Sequence, residues 1–199
     1  MKTDVIRVTS GGQGLTDALD QAAAAAVYRD LSPRNALHLR LLTEETLGLV
    51  RSVTGDMAGQ FWIEDEGGLC EIHLVVHTPM TGKKREGLLS ASSTGKNAAA
   101  TGIMGRLRDF FAREDEFDTG FFTPMMSEAV FESGTSPALD LEWSLARYRA
   151  ELLARPRGDR DAAKAWDELE KSVVTHVADE VKVYIKGDRV EMVILKDFR

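Results

Sequence analysis

Cysteine is almost missing from this chain: Cys70 is the single one among 199 residues. One thiol can form neither an internal disulfide nor a cysteine-based zinc cluster. No run approaches the roughly 18 apolar residues of a membrane span. The opening MKTDVIRVTSGG lacks the apolar core of a signal peptide. No membrane contact is therefore expected, and the cytoplasm is the expected location. Positive charge is short as well, with 25 Lys and Arg against 32 Asp and Glu and a net charge of -7. Non-specific nucleic-acid binding needs a basic surface, so nucleic acid is not an expected partner. Nucleophile signatures are also lacking. No Gly-x-Ser-x-Gly elbow occurs. Cys70 falls in the apolar phase of a strand, where a thiol is buried and inert. His176 flanks a buried stripe and reads as a packed residue. No internal repeat and no linker composition is visible.

What is present is ordinary globular material, 43% hydrophobic and 29% charged. A single domain over residues 1–199 is expected. Its strongest signal is the helix around Leu39 to Val53, LRLLTEETLGLVRSV. Leu39, Leu42, Thr46, Leu49, Val50 and Val53 recur at the spacing of one buried face. At about 100° per residue, Glu44 points nearly opposite that face. Glu45 lies on its flank beside Leu41, Gly48 and Ser52, half sheltered. A glycine inside a helix costs roughly 1 kcal/mol against alanine, so Gly48 suggests a close approach by something.

Strands and helices follow in a definite order. Asp4 to Thr9 reads as a strand, broken by Gly11, Gly12 and Gly14. Leu15, Ala18, Leu19, Ala22 and Ala26 form a helical stripe to about Tyr28. Ser32-Pro33 is a helix start, and the central helix runs from there to about Thr54. Phe61 and Ile63 alternate in one strand, and Glu66-Gly67-Gly68 makes the turn. Cys70, Ile72, Leu74 and Val76 alternate in the next, giving a hairpin over Gln60 to Thr78. Thr78 to Asn97 is rich in Thr, Ser, Gly and Lys; a loop this long inside a domain is often a lid. It is not a phosphate-binding P-loop, because Ser90 and Asn97 stand at two required positions. Ile103, Met104, Leu107, Phe110 and Phe111 share a helical face. Pro137 is expected to open a helix with Leu141, Leu145, Tyr148 and Leu152 as its stripe. After Arg155-Pro156-Arg157-Gly158, Asp159 or Asp161 can cap a last helix carrying Ala162, Trp166, Leu169, Val173 and Val177. Val181, Val183 and Ile185, then Val190, Met192 and Ile194, form a closing hairpin around Gly187-Asp188.

The fold class expected from this order is a two-layer α/β sandwich, with one mixed or antiparallel sheet covered on one face by helices. Residues 4–113 would make its core, residues 114–178 a helical insertion, and the hairpin at 179–197 would complete the sheet.

The same order resembles the histidine-kinase-like ATPase domain (the GHKL or Bergerat fold), and within it the bacterial anti-sigma-factor serine kinases. LLTEETLGLV looks like that family's Glu-x-x-x-Asn helix. The resemblance implies a catalytic role for Glu45, with Leu49 standing where the family has its Mg²⁺-binding asparagine. The strand Ile72, Leu74, Val76 resembles the one leading to the Asp-x-Gly-x-Gly box. Thr78 then takes the place of the adenine-binding aspartate, and Thr78-Pro79-Met80-Thr81-Gly82 keeps only Gly82. Thr101-Gly102-Ile103-Met104-Gly105 is similar to the second glycine box. A helix N-terminus there cradles phosphate through free N–H groups, and Lys96 adds charge. What the resemblance implies is an ATP- and Mg²⁺-dependent regulatory protein, a serine/threonine kinase or ATPase. Glu45 is its catalytic residue, and Gly48, Leu49, Thr78, Gly82, Lys96, Gly102 and Gly105 are its nucleotide-binding residues.

Two other readings stand beside it. The departures at Leu49 and Thr78 suit a non-catalytic relative that binds a protein partner or forms a homodimer, with Trp143 and Trp166 as candidate anchors or as plain core. Glu71, His73 and His77 share one side of a strand and are ligand types. Alternate strand positions lie about 6.5–7 Å apart, and His73 to His77 is double that. One ion cannot join those two histidines on a straight strand, so the expectation is a polar sheet face and no metal site.

Overall fold

The fold is that of a computed structural model, which describes residues 1–52, 58–77, 140–156, 158–170, 172–186 and 189–199. The described elements run β1 (Ile6–Thr9), α1 (Leu15–Tyr28), α2 (Pro33–Ser52), β2 (Ala58–Glu66) and β3 (Leu69–His77). Then come β4 (Asp140–Ser144), α3 (Leu145–Ala154), α4 (Arg160–Glu170), α5 (Val173–Val177), β5 (Glu180–Lys186) and β6 (Arg189–Asp197).

All six strands join one antiparallel sheet in the order β1-β2-β3-β6-β5-β4. Register follows from the apolar alternation, because a one-residue slip would turn every inward side chain outward. Ile6, Phe61, Leu74, Met192, Val183 and Trp143 lie opposite one another in a single row across all six strands. Ile63, Ile72, Ile194 and Val181 form a parallel row. These residues, apart from the partly buried Ile6 that packs against them, belong to one core cluster with Leu39, Leu42, Leu47 and Val50 of α2, and Ala18, Ala22, Ala25 and Ala26 of α1. Alanine at these positions of α1 lets the helix sit close to α2 and the sheet.

Order and pairing together reveal a repetition that the residues do not advertise. The first half reads β-α-α-β-β over β1 to β3. The second reads the same over β4 to β6, with α5 added. The halves meet at β3 and β6 and run outward in mirror order. Every strand direction is consistent with a pseudo-twofold axis through that central pair. α5 touches α2, so the helices of both halves form one layer.

Local chemistry sets several boundaries. Gly14 precedes α1 with φ 74, and a Cβ there would stand 2.0 Å from the Arg7 carbonyl oxygen. Only glycine fits both demands. The Ser32 hydroxyl accepts from the Asn35 N–H at 3.3 Å and caps α2 as expected. Of the two aspartates considered for α4, Asp159 is the cap, accepting from the Ala162 N–H at 3.1 Å.

Two expectations fail in the second half. The helical stripe starting at Leu141 is not one helix: Asp140–Ser144 is edge strand β4, and α3 begins at Leu145. Ser144 makes the break, since its hydroxyl accepts from the Arg147 N–H at 3.3 Å and so caps α3. Pairing with β5 outweighs helix periodicity for the preceding residues. The stripe from Ala162 to Val177 is also divided, between α4 and α5. The Thr175 hydroxyl donates to the Leu169 and Ser172 carbonyls, which turns Thr175 inward and leaves Val173 43% exposed.

The second half is tied to the sheet end by Asp179. Burial pushes its carboxyl up. The Lys196 ammonium at 2.8 Å and the Asp197 N–H at 2.7 Å outweigh that and hold it below the ordinary value. A depressed folded value stabilises above the unfolded carboxylate range of about 4, and the contribution is lost as pH falls below it. Asp179→Ala is therefore expected to unfold at lower urea than wild type at pH 7, the gap closing as pH falls below about 4. A gap that stays constant as pH falls would refute the assignment. Leu74→Ala, in the six-strand row, should cost about 2–5 kcal/mol. Leu153→Ala, whose leucine is 72% exposed, should change stability by no more than about 0.5 kcal/mol. Equal effects in urea titrations would show that the row is not the core.

Candidate functional site

Among the described residues, two places bring together side chains with chemistry to offer. The first is the flank of α2. Its buried face consists of Leu39, Leu42, Thr43, Thr46, Leu47 and Val50. Two threonines fit among the leucines because each hydroxyl donates within the helix, Thr43 to the Leu39 carbonyl at 2.9 Å and Thr46 to that of Leu42 at 2.7 Å. Glu44 points outward and pairs with Arg40 at 2.9 Å. Glu45 is half-buried on the flank, as its place in the helix implies. No hydrogen bond or ion pair joins its carboxylate to another described residue.

Gly48 lies one turn further on. A Cβ built there meets nothing within 4 Å. Among the described residues nothing makes a close approach there, and the glycine borders open space between them. Sequence reasoning missed His38, seven residues before Glu45 and so two turns away on the same flank. Its Nδ1 is buried without a hydrogen-bond partner. The seven-residue spacing was the available signal. Leu49 follows Gly48 in α2. Thr78, Gly82, Lys96, Gly102 and Gly105 lie outside the described residues, and so does the lid expected over Thr78 to Asn97. Of the candidate nucleotide site, the structure therefore places Glu45 and Gly48 side by side and describes no more of its surroundings.

The second place is the sheet face opposite the helices, where Trp62, Glu71, His73, Val75, Glu191 and Val193 alternate with the core residues. The His73 imidazole stacks on the Trp62 indole, with ring centroids 4.6 Å apart and planes 5° from parallel. Its Nδ1 lies 3.3 Å from Glu191 Oε1 and its Nε2 3.3 Å from Glu71 Oε2. The second contact lacks hydrogen-bond alignment, and Nε2 is buried without a hydrogen-bond partner. Arg189 holds the other Glu191 oxygen at 2.9 Å. Beyond Trp62, its Nε1–H donates to Glu64 at 2.7 Å, and the Lys2 ammonium binds the same carboxylate at 2.8 Å. These two donors, Lys2 foremost, hold the Glu64 carboxyl below the ordinary range. A cavity of about 570 Å³ opens on this face, lined by Glu71, His73, Tyr184, Glu191, Val193 and Leu195 among others. The neighbour of His73 that matters is thus Glu191, from a strand more than a hundred residues away, and not His77.

Several candidates lose their roles. Trp143 is 2% exposed and belongs to the core, so it is not a partner anchor. Trp166 packs against the core and donates to Glu170 at 2.9 Å. Cys70 is buried as expected. Burial pushes its thiol up to about 12, with the Asp65 and Glu71 carboxylates adding to the rise. Asp65, 5% exposed, is itself held by Arg29 at 3.1 Å.

No helix among the described residues is long and apolar enough to cross a membrane. No protein family, curated protein or solved structure matches the chain.

The raised thiol has a direct consequence. Native protein should label with iodoacetamide at pH 8 at under about one hundredth of the rate seen in urea, because thiolate is the reactive form. Mass spectrometry showing equal rates would place Cys70 at the surface.

Proposed function

We propose that this chain is an ATP-binding regulatory protein similar to the histidine-kinase-like ATPases, with its nucleotide on the helical side of the sheet. The supporting observation is Glu45: a half-buried carboxylate on α2, unengaged by other described residues and bordered by open space at Gly48. The order β1-α1-α2-β2-β3, with helices on one face of an antiparallel sheet, is the frame in which such a residue was expected. In an anti-sigma-like serine kinase, Glu45 is the base that takes the proton of the acceptor hydroxyl. Mg²⁺ is not accommodated in the same way. Leu49 has no side-chain oxygen, so it offers the ion no replacement for asparagine. Phosphoryl transfer rests on positioning and metal electrostatics, so binding is better supported than turnover.

Leu49 also favours a second reading, a relative that has given up catalysis and binds a protein partner. With Trp143 in the core, a group of apolar side chains open to contact lies near the α1–α2 turn, where Val27, Tyr28 and Leu37 are each more than half exposed.

Isothermal titration with ATP and Mg²⁺ separates the two. The first reading expects a Kd in the micromolar range, about -8 kcal/mol, and Glu45→Ala should abolish any hydrolysis while leaving binding within about threefold. Absence of heat with ATP and with ADP would remove the nucleotide and leave the partner-binding reading.

A further inference from the structure

The Glu71–His73–Glu191 cluster on the outer sheet face is not used by the nucleotide reading, which concerns the opposite face. His73 is 8% exposed, and its two nitrogens are not equivalent. Nδ1 faces a Glu191 carboxylate that is anchored from behind by Arg189 at 2.9 Å. That arrangement assigns the imidazole proton to Nδ1 and leaves Nε2 with a bare lone pair. Nε2 is buried without a hydrogen-bond partner. It looks toward Glu71 Oε2 at 3.3 Å, where two lone pairs face one another. Such a pair of acceptors is relieved by a proton or a metal ion placed between them.

The spacing suits a metal ion. Zinc binds imidazole nitrogen and carboxylate oxygen at about 2.0–2.2 Å, and two such ligands at the tetrahedral angle stand about 3.3–3.5 Å apart. A carboxylate on the far nitrogen of a metal-binding histidine is the usual outer support, fixing both tautomer and ring orientation. Here stacking on Trp62 fixes the ring a second time.

We propose that His73 Nε2 and Glu71 form a two-ligand site for a divalent transition ion of the zinc class, opening on the outer-face cavity, with Glu191 as its supporting carboxylate. Among the described residues no three His, Cys, Asp or Glu side chains gather in metal-binding geometry. The site is therefore not a closed structural one. Its remaining positions face the cavity and take water or a small oxygen- or nitrogen-bearing ligand. Glu191 acts through His73 and is a positioning residue. The proposal does not depend on ATP binding.

The test uses the full chain freed of metal by chelation, titrated with Zn²⁺ by calorimetry and with Co²⁺ by visible absorption. One Zn²⁺ per chain and tetrahedral Co²⁺ bands are expected. Glu71→Gln and His73→Gln should each weaken Zn²⁺ at least about tenfold, and Glu191→Gln by about 10–100-fold. Glu142→Gln, which changes another cavity wall residue, should leave affinity unchanged. Far-ultraviolet dichroism of each metal-free variant checks folding, and the half-exposed Glu71 is the change least able to disturb it. Absence of stoichiometric binding would overturn the proposal. Affinity unchanged in Glu71→Gln would overturn it equally, because Glu71 would then not be a ligand.

Discussion

The pairing of β3 with β6 is the contact on which the rest of the molecule depends. It runs over nine residue pairs, from Leu69 opposite Asp197 to His77 opposite Arg189. Among the described residues it is the strand pairing that joins the two β-α-α-β-β halves. Each half alone would present a three-stranded sheet with an open edge at its most apolar strand. Such an edge is a liability that proteins cover or pair. Here each half covers the other.

That central placement explains why β3 is buried on both faces. Cys70, Ile72, Leu74 and Val76 meet the helical layer, while His73 and Val75 are buried on the opposite side. A histidine in that position must find partners for its nitrogens locally, because water cannot supply them at low cost. The strand across the joint supplies Glu191 to Nδ1, while β3 itself brings Glu71 within 3.3 Å of Nε2 without a hydrogen bond. The two carboxylates occupy corresponding positions on the paired strands, on diagonal sides of the His73–Val193 pair. The polar cluster is thus a product of the junction between halves, and its geometry would dissolve if the register slipped by one residue.

The helical layer follows a different logic. α2 carries long apolar side chains toward the sheet, and α1 closes over it with alanines. Arg29, just past α1, reaches the buried Asp65 carboxylate at 3.1 Å, so the helical turn and the β2–β3 hairpin end are joined by charge as well as by packing. The flank left over by this packing is where Glu45 and Gly48 lie. A helix with about half its circumference buried must expose the remainder, and its boundary positions are the natural places for a sheltered but reachable carboxylate.

Much of this was legible in the residues because it is local. The period of two in Phe61 and Ile63, in Cys70 to Val76 and in Val190 to Ile194 marked those strands. The spacing of Leu39, Leu42, Thr46 and Val50 marked α2 and placed Glu45 on its flank. Ser32 and Asp159 marked helix starts through their own hydrogen bonds. What the sequence alone could not decide was anything resting on a distant partner. Leu141 and Leu145 satisfy a helical stripe on paper, yet β5 claims Asp140–Ser144 as a strand. The repeated β-α-α-β-β order carries no repeated residues to betray it, because packing asks for apolar volume at a position and not for a given side chain. Glu191 stands 118 residues from His73, and no spacing rule connects them. Side-chain period is a property of the backbone, so the chain carries it in one dimension. Which strands meet is settled only when the apolar faces of both halves are buried together.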